Sequence, residues 1–430
     1  MNSTVNTVND LKEGKYSSQF AYVYACDEEN TTKYADRFVE TINEFENIYG
    51  KKEQVALFSA PGRTEIGGNH TDHQHGCVLA AGVNIDVIAV AAPNGEDIVR
   101  IKSQGYDMDE VNINDLDVKE SEYDKAISLI RGVVKKFVEL GYEVKGFDAY
   151  TTSNVMKGSG LSSSAAFEVL VGTIINGLYA NSEVNPVEIA KFGQFAENVY
   201  YNKPSGLMDQ MASSVGSVVA IDFASTEEPV IKKVGLDLNK YKHALCIIDS
   251  GADHADLTDE YAAVTYEMKA VSKFFGKEYL REVDEDEFYA KMKELRAAVQ
   301  NDRAILRAMH FFADNRRAQE EAILLQNDDF EGFLEVIKES GRSSYMYLQN
   351  VYASSQPTKQ AVSLTLALCE QLLGSRGGYR VHGGGFAGTV QAFVPFDMLD
   401  EFKAKIEAVL GEGMCHVLSV RPVGGYEFKL

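Results

Sequence analysis

The run Gly158-Ser-Gly-Leu-Ser-Ser-Ser-Ala-Ala166 follows the strand-like stretch FDAYTTSNV and opens into the apolar FEVLVGTIINGLY. This order predicts a strand that ends in a glycine turn and a helix that begins after Gly160. Glycines let backbone N–H groups approach an anion closely, and a helix start adds oriented donors with positive dipole character. The segment therefore reads as a phosphate cradle. It is not a Walker A loop, because GxxxxGK[ST] needs a lysine after the second glycine and none is present. Serine is also a favoured N-cap, so this segment alone leaves a plain Ser-capped helix open.

Charge narrows what such a cradle can serve. The 42 basic and 64 acidic residues give a net charge of −22, which repels nucleic acid and anionic membrane. A phosphate-bearing ligand must then be held by local backbone donors and a metal. Five cysteines, Cys26, Cys77, Cys246, Cys369 and Cys415, lack CxxC spacing, which fits a reduced compartment without structural zinc. The N-terminus has no basic stretch followed by an apolar one, and the apolar run from Cys77 to Ala92 is broken by Asn84 and Asp86. A cytoplasmic protein, neither exported nor membrane-spanning, is expected.

Along the chain, the first thirty or so residues are polar and unpatterned, and apolar residues then recur at helical steps from Tyr34. From Val55, strand-like runs (VALFSA, DVIAVAAP, FDAYTTSNV) alternate with Gly-rich turns. Helical patterning returns from Asn185 to Tyr201, then strands at SVVAIDF and HALCIIDS, and amphipathic spacing from Asp284 to about Gln326. YRVHGGGFAGTVQAFVP reads as strand, glycine turn, strand. Strands and helices mix without strict βαβ alternation, so the expected class is α+β with mixed sheets. At 430 residues two domains are expected, 51–252 and 253–430, behind an N-terminal extension and helix at 1–50.

Three further segments concentrate polar groups. Ala60-Pro-Gly-Arg-Thr-Glu-Ile-Gly-Gly-Asn-His-Thr-Asp-His-Gln-His75 follows a strand end, where side chains can converge on a ligand above a rigid backbone. Arg63 is the fixed cation of that cluster, suited to carboxylate or phosphate. His70, Asp72, His73 and His75 are possible metal ligands without a distant partner motif. Gly206-Leu-Met-Asp-Gln210 sets Asp209 ahead of a short helix, and Glu197 lies on FGQFAENVYY, where a solvated polar face is the plain alternative.

These segments in this order resemble the GHMP small-molecule kinases, most closely the galactokinases, from about Ser59 to the C-terminus. APGRTEIGGNHTDH resembles the sugar signature, KGSGLSSSAAFEVLVG the phosphate loop and RVHGGGFAGTVQAFVP the third motif; GLMDQ, DSGADHADLTDEYAAV and MHFFADNRRAQEEA also match. The resemblance implies a two-domain fold with the active site in the cleft, ATP and Mg²⁺ as cofactors, and transfer of the γ-phosphate to the anomeric hydroxyl of galactose. It implies that Gly158, Ser159, Gly160, Leu161, Ser162, Ser163, Ser164 and Ala165 hold the nucleotide phosphates, and that Ser164 and Glu197 hold the metal. Asp209 and Arg63 take the catalytic places. Asn69, His70, Asp72, Gly206 and Tyr261 take the sugar-binding places, and Gly383, Gly384 and Gly385 the third motif. The signature has the form GRxNxIGEHxDY, whereas this chain has Glu65 at the Asn place, Asn69 at the Glu place and His73 at the Tyr place. An amide offers both donor and acceptor where a carboxylate only accepts, so N-acetylgalactosamine, a uronic acid or arabinose stay open as substrates. A silent sugar and ATP sensor and a kinase of a non-sugar alcohol such as mevalonate are the other readings.

Overall fold

The computed structural model describes residues 1–155, 160–252 and 257–430. Seven strands come first in the chain: β1 (Ala56–Gly67), β2 (Cys77–Pro93), β3 (Ile98–Ser103), β4 (Met108–Asn112), β5 (Phe147–Ser153), β6 (Val218–Asp222) and β7 (Val230–Val234). Five follow: β8 (His243–Asp249), β9 (Gly378–Val381), β10 (Thr389–Pro395), β11 (Cys415–Leu418) and β12 (Tyr426–Phe428). The larger sheet runs β12-β1-β2-β5-β3-β4, with β6 beside β2 and β7 beside β6; the smaller runs β11-β8-β10-β9. Among the described residues only β3 and β5 pair in parallel, so the mixed α+β expectation holds.

β1 and β2 are near-continuous apolar runs because both faces of the sheet are covered. Leu57, Ile88, Val90 and Tyr150 pack under Phe20, Phe38 and Phe45 of the N-terminal helices. Phe58, Ala89 and Ala149 point the other way, into a core with Val133, Phe137, Leu170 and Ile174. The same core takes Leu245, Ile247 and Phe393 from the smaller sheet, which joins the two sheets. The pairing of β1 with β2 shifts register between Pro61 and Arg63 and again between Glu65 and Gly67. Such irregularities turn side chains out of their regular alternation, and here they carry Arg63 and Glu65.

One expectation needs correction. The first thirty residues form helices Thr4–Lys12 and Ser17–Tyr24, which precede helix Thr32–Tyr49. They are too short to show helical periodicity, and burial of Leu11, Tyr16, Phe20 and Val23 holds them instead. The stretch Asp284 to Gln326 is helical as its spacing predicts, divided into three helices, the last starting at Asp302 behind Asn301, whose side chain accepts from the Ala304 N–H at 3.1 Å. Among the described residues no helix is long and apolar enough to cross a membrane. The boundary expected at Asp253 lies outside the described residues.

Candidate active site

β1 ends beside the glycine-serine loop. Gly62 has no room for a Cβ, which would stand 2.9 Å from the Leu161 carbonyl, and the Arg63 N–H donates to that carbonyl at 3.0 Å. Helix Ser163–Tyr179 starts there, behind a left-handed Ser162, with Ser162, Ser163 and Ser164 half-buried and Leu161 and Ala165 buried. Gly158 and Ser159 lie outside the described residues. The Arg63 guanidinium donates to both oxygens of Asp209, Nε to Oδ1 at 2.6 Å and Nη2 to Oδ2 at 2.8 Å, and also to the Gly160 carbonyl. Ser162 donates to the same carboxylate. Burial alone would raise the Asp209 carboxyl; the charge and bonds of Arg63 and the bond from Ser162 hold it below its ordinary value. Asp209 is thus an ionised, oriented acceptor at the start of helix Met208–Val215, still 30 % exposed to the cavity in front of it.

That cavity, about 360 Å³, is lined by Arg63, Asp209, Glu65, His70, Asp72 and Tyr261, with Gly206, Gly383 and Gly384 in its wall. Asp72 approaches Gly206, where a Cβ would stand 3.5 Å from its Oδ2. Burial, opposed by His70, raises the Asp72 carboxyl. His70 bonds the Gly384 carbonyl at 2.9 Å and the Tyr261 hydroxyl donates to the Gly385 carbonyl at 2.8 Å. The third motif therefore meets the sugar signature through its carbonyls. Gly385 must be glycine: its φ is +78° and a Cβ would fall 2.0 Å from the Asn350 carbonyl. A metal site at the histidines is not formed, since His75 stacks on Tyr279 at 3.6 Å and no group of three ligands converges among the described residues. Burial and the charge of His70 lower His73 to about 3, so it stands neutral in the cavity wall.

Asn69 does not face the cavity, contrary to expectation. Its side chain is fully buried: Nδ2 donates to Glu65 Oε1 at 3.0 Å and to the Gly383 carbonyl at 2.7 Å, while Oδ1 accepts from Ser344 at 3.1 Å and Asn350 at 2.9 Å. Glu65 lines the cavity in its place, with Oε1 held by Arg380 at 2.5 Å as well as by Asn69. The two departures from the signature are thus one exchange, carboxylate for amide, between residues that touch.

Glu197 lies on a π-turn, Ala196–Tyr200, that follows helix Pro186–Phe195. Its Oε2 accepts from Gln210 at 2.8 Å and its Oε1 from Lys203 at 2.7 Å. Gln210 also donates to Glu168 at 2.9 Å, and burial followed by the charge of Glu197 pushes the Glu168 carboxyl well above the carboxylate range. Buried oxygens of Glu168 and Gln210 lack donors. The Glu197 carboxylate, with the unsatisfied oxygens of Glu168 and Gln210 near it, offers oxygen ligands of the kind Mg²⁺ takes, and that ion needs only one or two carboxylates beside phosphate and water. Sequence reading gave no site role to Lys203, Gln210 or Glu168, and named Glu65 only as a departure from the signature. Gln210 carried a signal, sitting next to Asp209 in GLMDQ; Lys203, in a loop before Pro204, carried none.

Residues 43–93 match the galactokinase galactose-binding signature, and residues 128–217 the GHMP kinases N terminal domain. Galactokinase of Glaesserella parasuis is 31 % identical over 84 % of this chain and 91 % of its own length; that of Actinobacillus pleuropneumoniae is 31 % identical over 84 % and 90 %. Among solved structures, Lactococcus lactis galactokinase complexed with galactose superposes with a TM-score of 0.75 at 24 % identity, covering 91 % of this chain and 99 % of that one. Methanococcus jannaschii mevalonate kinase does so at 0.61 and 13 % identity, over 86 % and 99 %, which shows a common fold.

Proposed function

The chain belongs to the galactokinase family of GHMP kinases, and from that premise we propose that it transfers the γ-phosphate of ATP to the anomeric hydroxyl of galactose. The observation that carries this reading is the Asp209 carboxylate, fixed by both arms of Arg63 and by Ser162 between the helix start and the cavity. Phosphoryl transfer asks for an in-line hydroxyl and for neutralised charge more than for covalent help. The ATP phosphates lie along the helix start at Ser163, and the sugar fills the cavity with its anomeric hydroxyl donating to Asp209. A carboxylate held this far ionised is a weak base, so it orients the hydroxyl first and receives its proton late, as the sugar oxygen bonds the γ-phosphorus and the bond from that phosphorus to the bridging oxygen breaks, releasing ADP. Arg63 keeps the carboxylate in place and faces the developing negative charge. Ser164 and Glu197 would hold Mg²⁺, which when bound neutralises charge on the β- and γ-phosphates.

The cavity presents acceptors, Glu65, Asp72 and Asp209, to its ligand. Neutral hydroxyls satisfy them, whereas a uronic acid would bring its carboxylate against three others. The same reading places the chain in the cytoplasm. Coupled ADP release with ATP and Mg²⁺, tested on galactose, N-acetylgalactosamine, glucose, galacturonate, arabinose and mevalonate, checks it. Galactose is expected to lead with galacturonate silent. Preference for another sugar would overturn the substrate, and no release with any would overturn the kinase reading.

A further inference from the structure

Lys203 stands in a loop whose backbone is pinned and whose half-exposed side chain is held by its ion pair with Glu197 at 2.7 Å. Its N–H bonds the Glu197 carbonyl at 3.1 Å, and the nearby Ser205 is tied to Asn198 at 2.7 Å and to Gln194 at 3.2 Å. The Lys203 side chain is 56 % exposed, against 5 % for the Glu197 it pairs with. Both Glu197 oxygens are taken, one by Lys203 and one by Gln210. Gln210 is wholly buried and braced on Glu168, so it cannot give way. Arg63, also in the cavity wall, is locked on Asp209 by two bonds. Among the described residues of this wall, Lys203 is thus the cation that can leave its partner while its loop stays where it is.

We propose that Lys203 is a phosphate-binding residue that guards the metal ligand: its ammonium occupies Glu197 before nucleotide arrives and moves onto the transferred phosphate when the metal takes Glu197. This rests on the kinase reading above. A chain of net charge −22 repels a nucleotide at long range, so a mobile ammonium at the reacting phosphate answers a need that the fixed Arg63 does not. The exchange keeps the cavity's charge balanced, because the incoming cation replaces the departing one at Glu197 and the departing one meets new negative charge.

The test compares wild type with Lys203→Met, which keeps the length of the stem, and Lys203→Arg, which keeps the charge. Mn²⁺ binding to nucleotide-free protein, followed by loss of the free-ion EPR signal, is expected to be several-fold tighter in Lys203→Met, because the competitor for Glu197 is gone, and to disappear in Glu197→Gln. In turnover assays Lys203→Met is expected to lower kcat about 10- to 100-fold, the weight of one charge-assisted bond, with the sugar KM unchanged and partial recovery in Lys203→Arg. A lysine that only braces Glu197 would make Mn²⁺ binding weaker in Lys203→Met. Mn²⁺ affinity that fails to rise, or kcat that does not fall, overturns the proposal. If wild type shows no sugar-dependent turnover, the kinase reading has failed, and the Mn²⁺ comparison still decides whether Lys203 guards Glu197.

Discussion

Arg63 and Asp209 act as one unit, and their pH behaviour shows it. Burial pushes the Asp209 carboxyl up and Arg63, helped by the bond from Ser162 and the charge of Lys203, more than reverses that, so the acid limb of kcat/KM that belongs to Asp209 is expected below its ordinary 3.8 and neutral activity should be flat with respect to it. Arg63→Gln removes the lowering partner and leaves the burial, so the carboxyl rises and the acid limb moves towards neutral pH; a limb that stays in place would detach Arg63 from the ionisation of Asp209. Asp209→Asn is expected to cut kcat by about 10²–10⁴-fold while ATP binding, followed by calorimetry, holds, since the phosphates meet the helix start and not this side chain. Glu65 and Asn69 form the second unit. Asn69→Glu sets a second buried carboxylate against Glu65, at the place of a 3.0 Å hydrogen bond, and is expected to cost about 3 kcal/mol in denaturant unfolding, the scale for an unpaired buried charge. Adding Glu65→Asn restores one carboxylate and one amide, and the double variant should recover most of that loss. Equal stability of single and double variants would show that the two side chains are not coupled.

The two short helices before Tyr34 are held by packing, and that gives them a measurable share of stability. Phe20 is 1 % exposed, with its ring 5.0 Å from Phe428 and 5.7 Å from Phe38, so Phe20→Ala is expected to cost about 3–5 kcal/mol without changing kcat below the melting range. A polar tie reinforces the packing: Tyr24 donates to the buried Asp86 at 2.7 Å, and Arg37 and Arg421 reach the same carboxylate. None of this was legible in the sequence, because helices of nine and eight residues give too few turns for a periodic signal and their aromatic residues gain meaning only against β1 and β2. The helix that opens after the glycine-serine run, the strand–turn–strand around Gly383 and the place of Asp209 at a short helix's start were legible, since each is set within a dozen contiguous residues. Asn69 was misread for the opposite reason. Its partners Ser344 and Asn350 lie 275 and 281 positions away, and only the folded chain shows that they close it off from the cavity and leave Glu65 there.

At the level of the whole molecule, the cavity is assembled by bonds that cross from one sheet to the other. Arg380 and Gln391 of the smaller sheet reach Glu65 and Thr64 on β1, and Asn69 and His70 reach the turn between β9 and β10. Leu245, Ile247 and Phe393 share one apolar core with Phe58 and Leu79. Neither sheet can open without exposing that core and leaving Arg380 and Glu65 buried without each other, so the two are expected to unfold together. Calorimetry should then give one transition, and sugar at 100 times its dissociation constant should raise the stability of the whole chain by about 2.7 kcal/mol, shifting that single transition by a few degrees. Independent halves would behave otherwise: two transitions would appear, and sugar would move only one of them. Glu65→Gln separates the two roles of that residue, since an amide keeps the shape but weakens the bond to Arg380 and withdraws the carboxylate from the cavity. Its melting curve should stay a single transition at a lower midpoint, and the shift caused by sugar should shrink. A midpoint that falls while the sugar shift stays at the wild-type size would assign Glu65 to the junction of the sheets alone and leave Asp72 and Asp209 to read the hydroxyls.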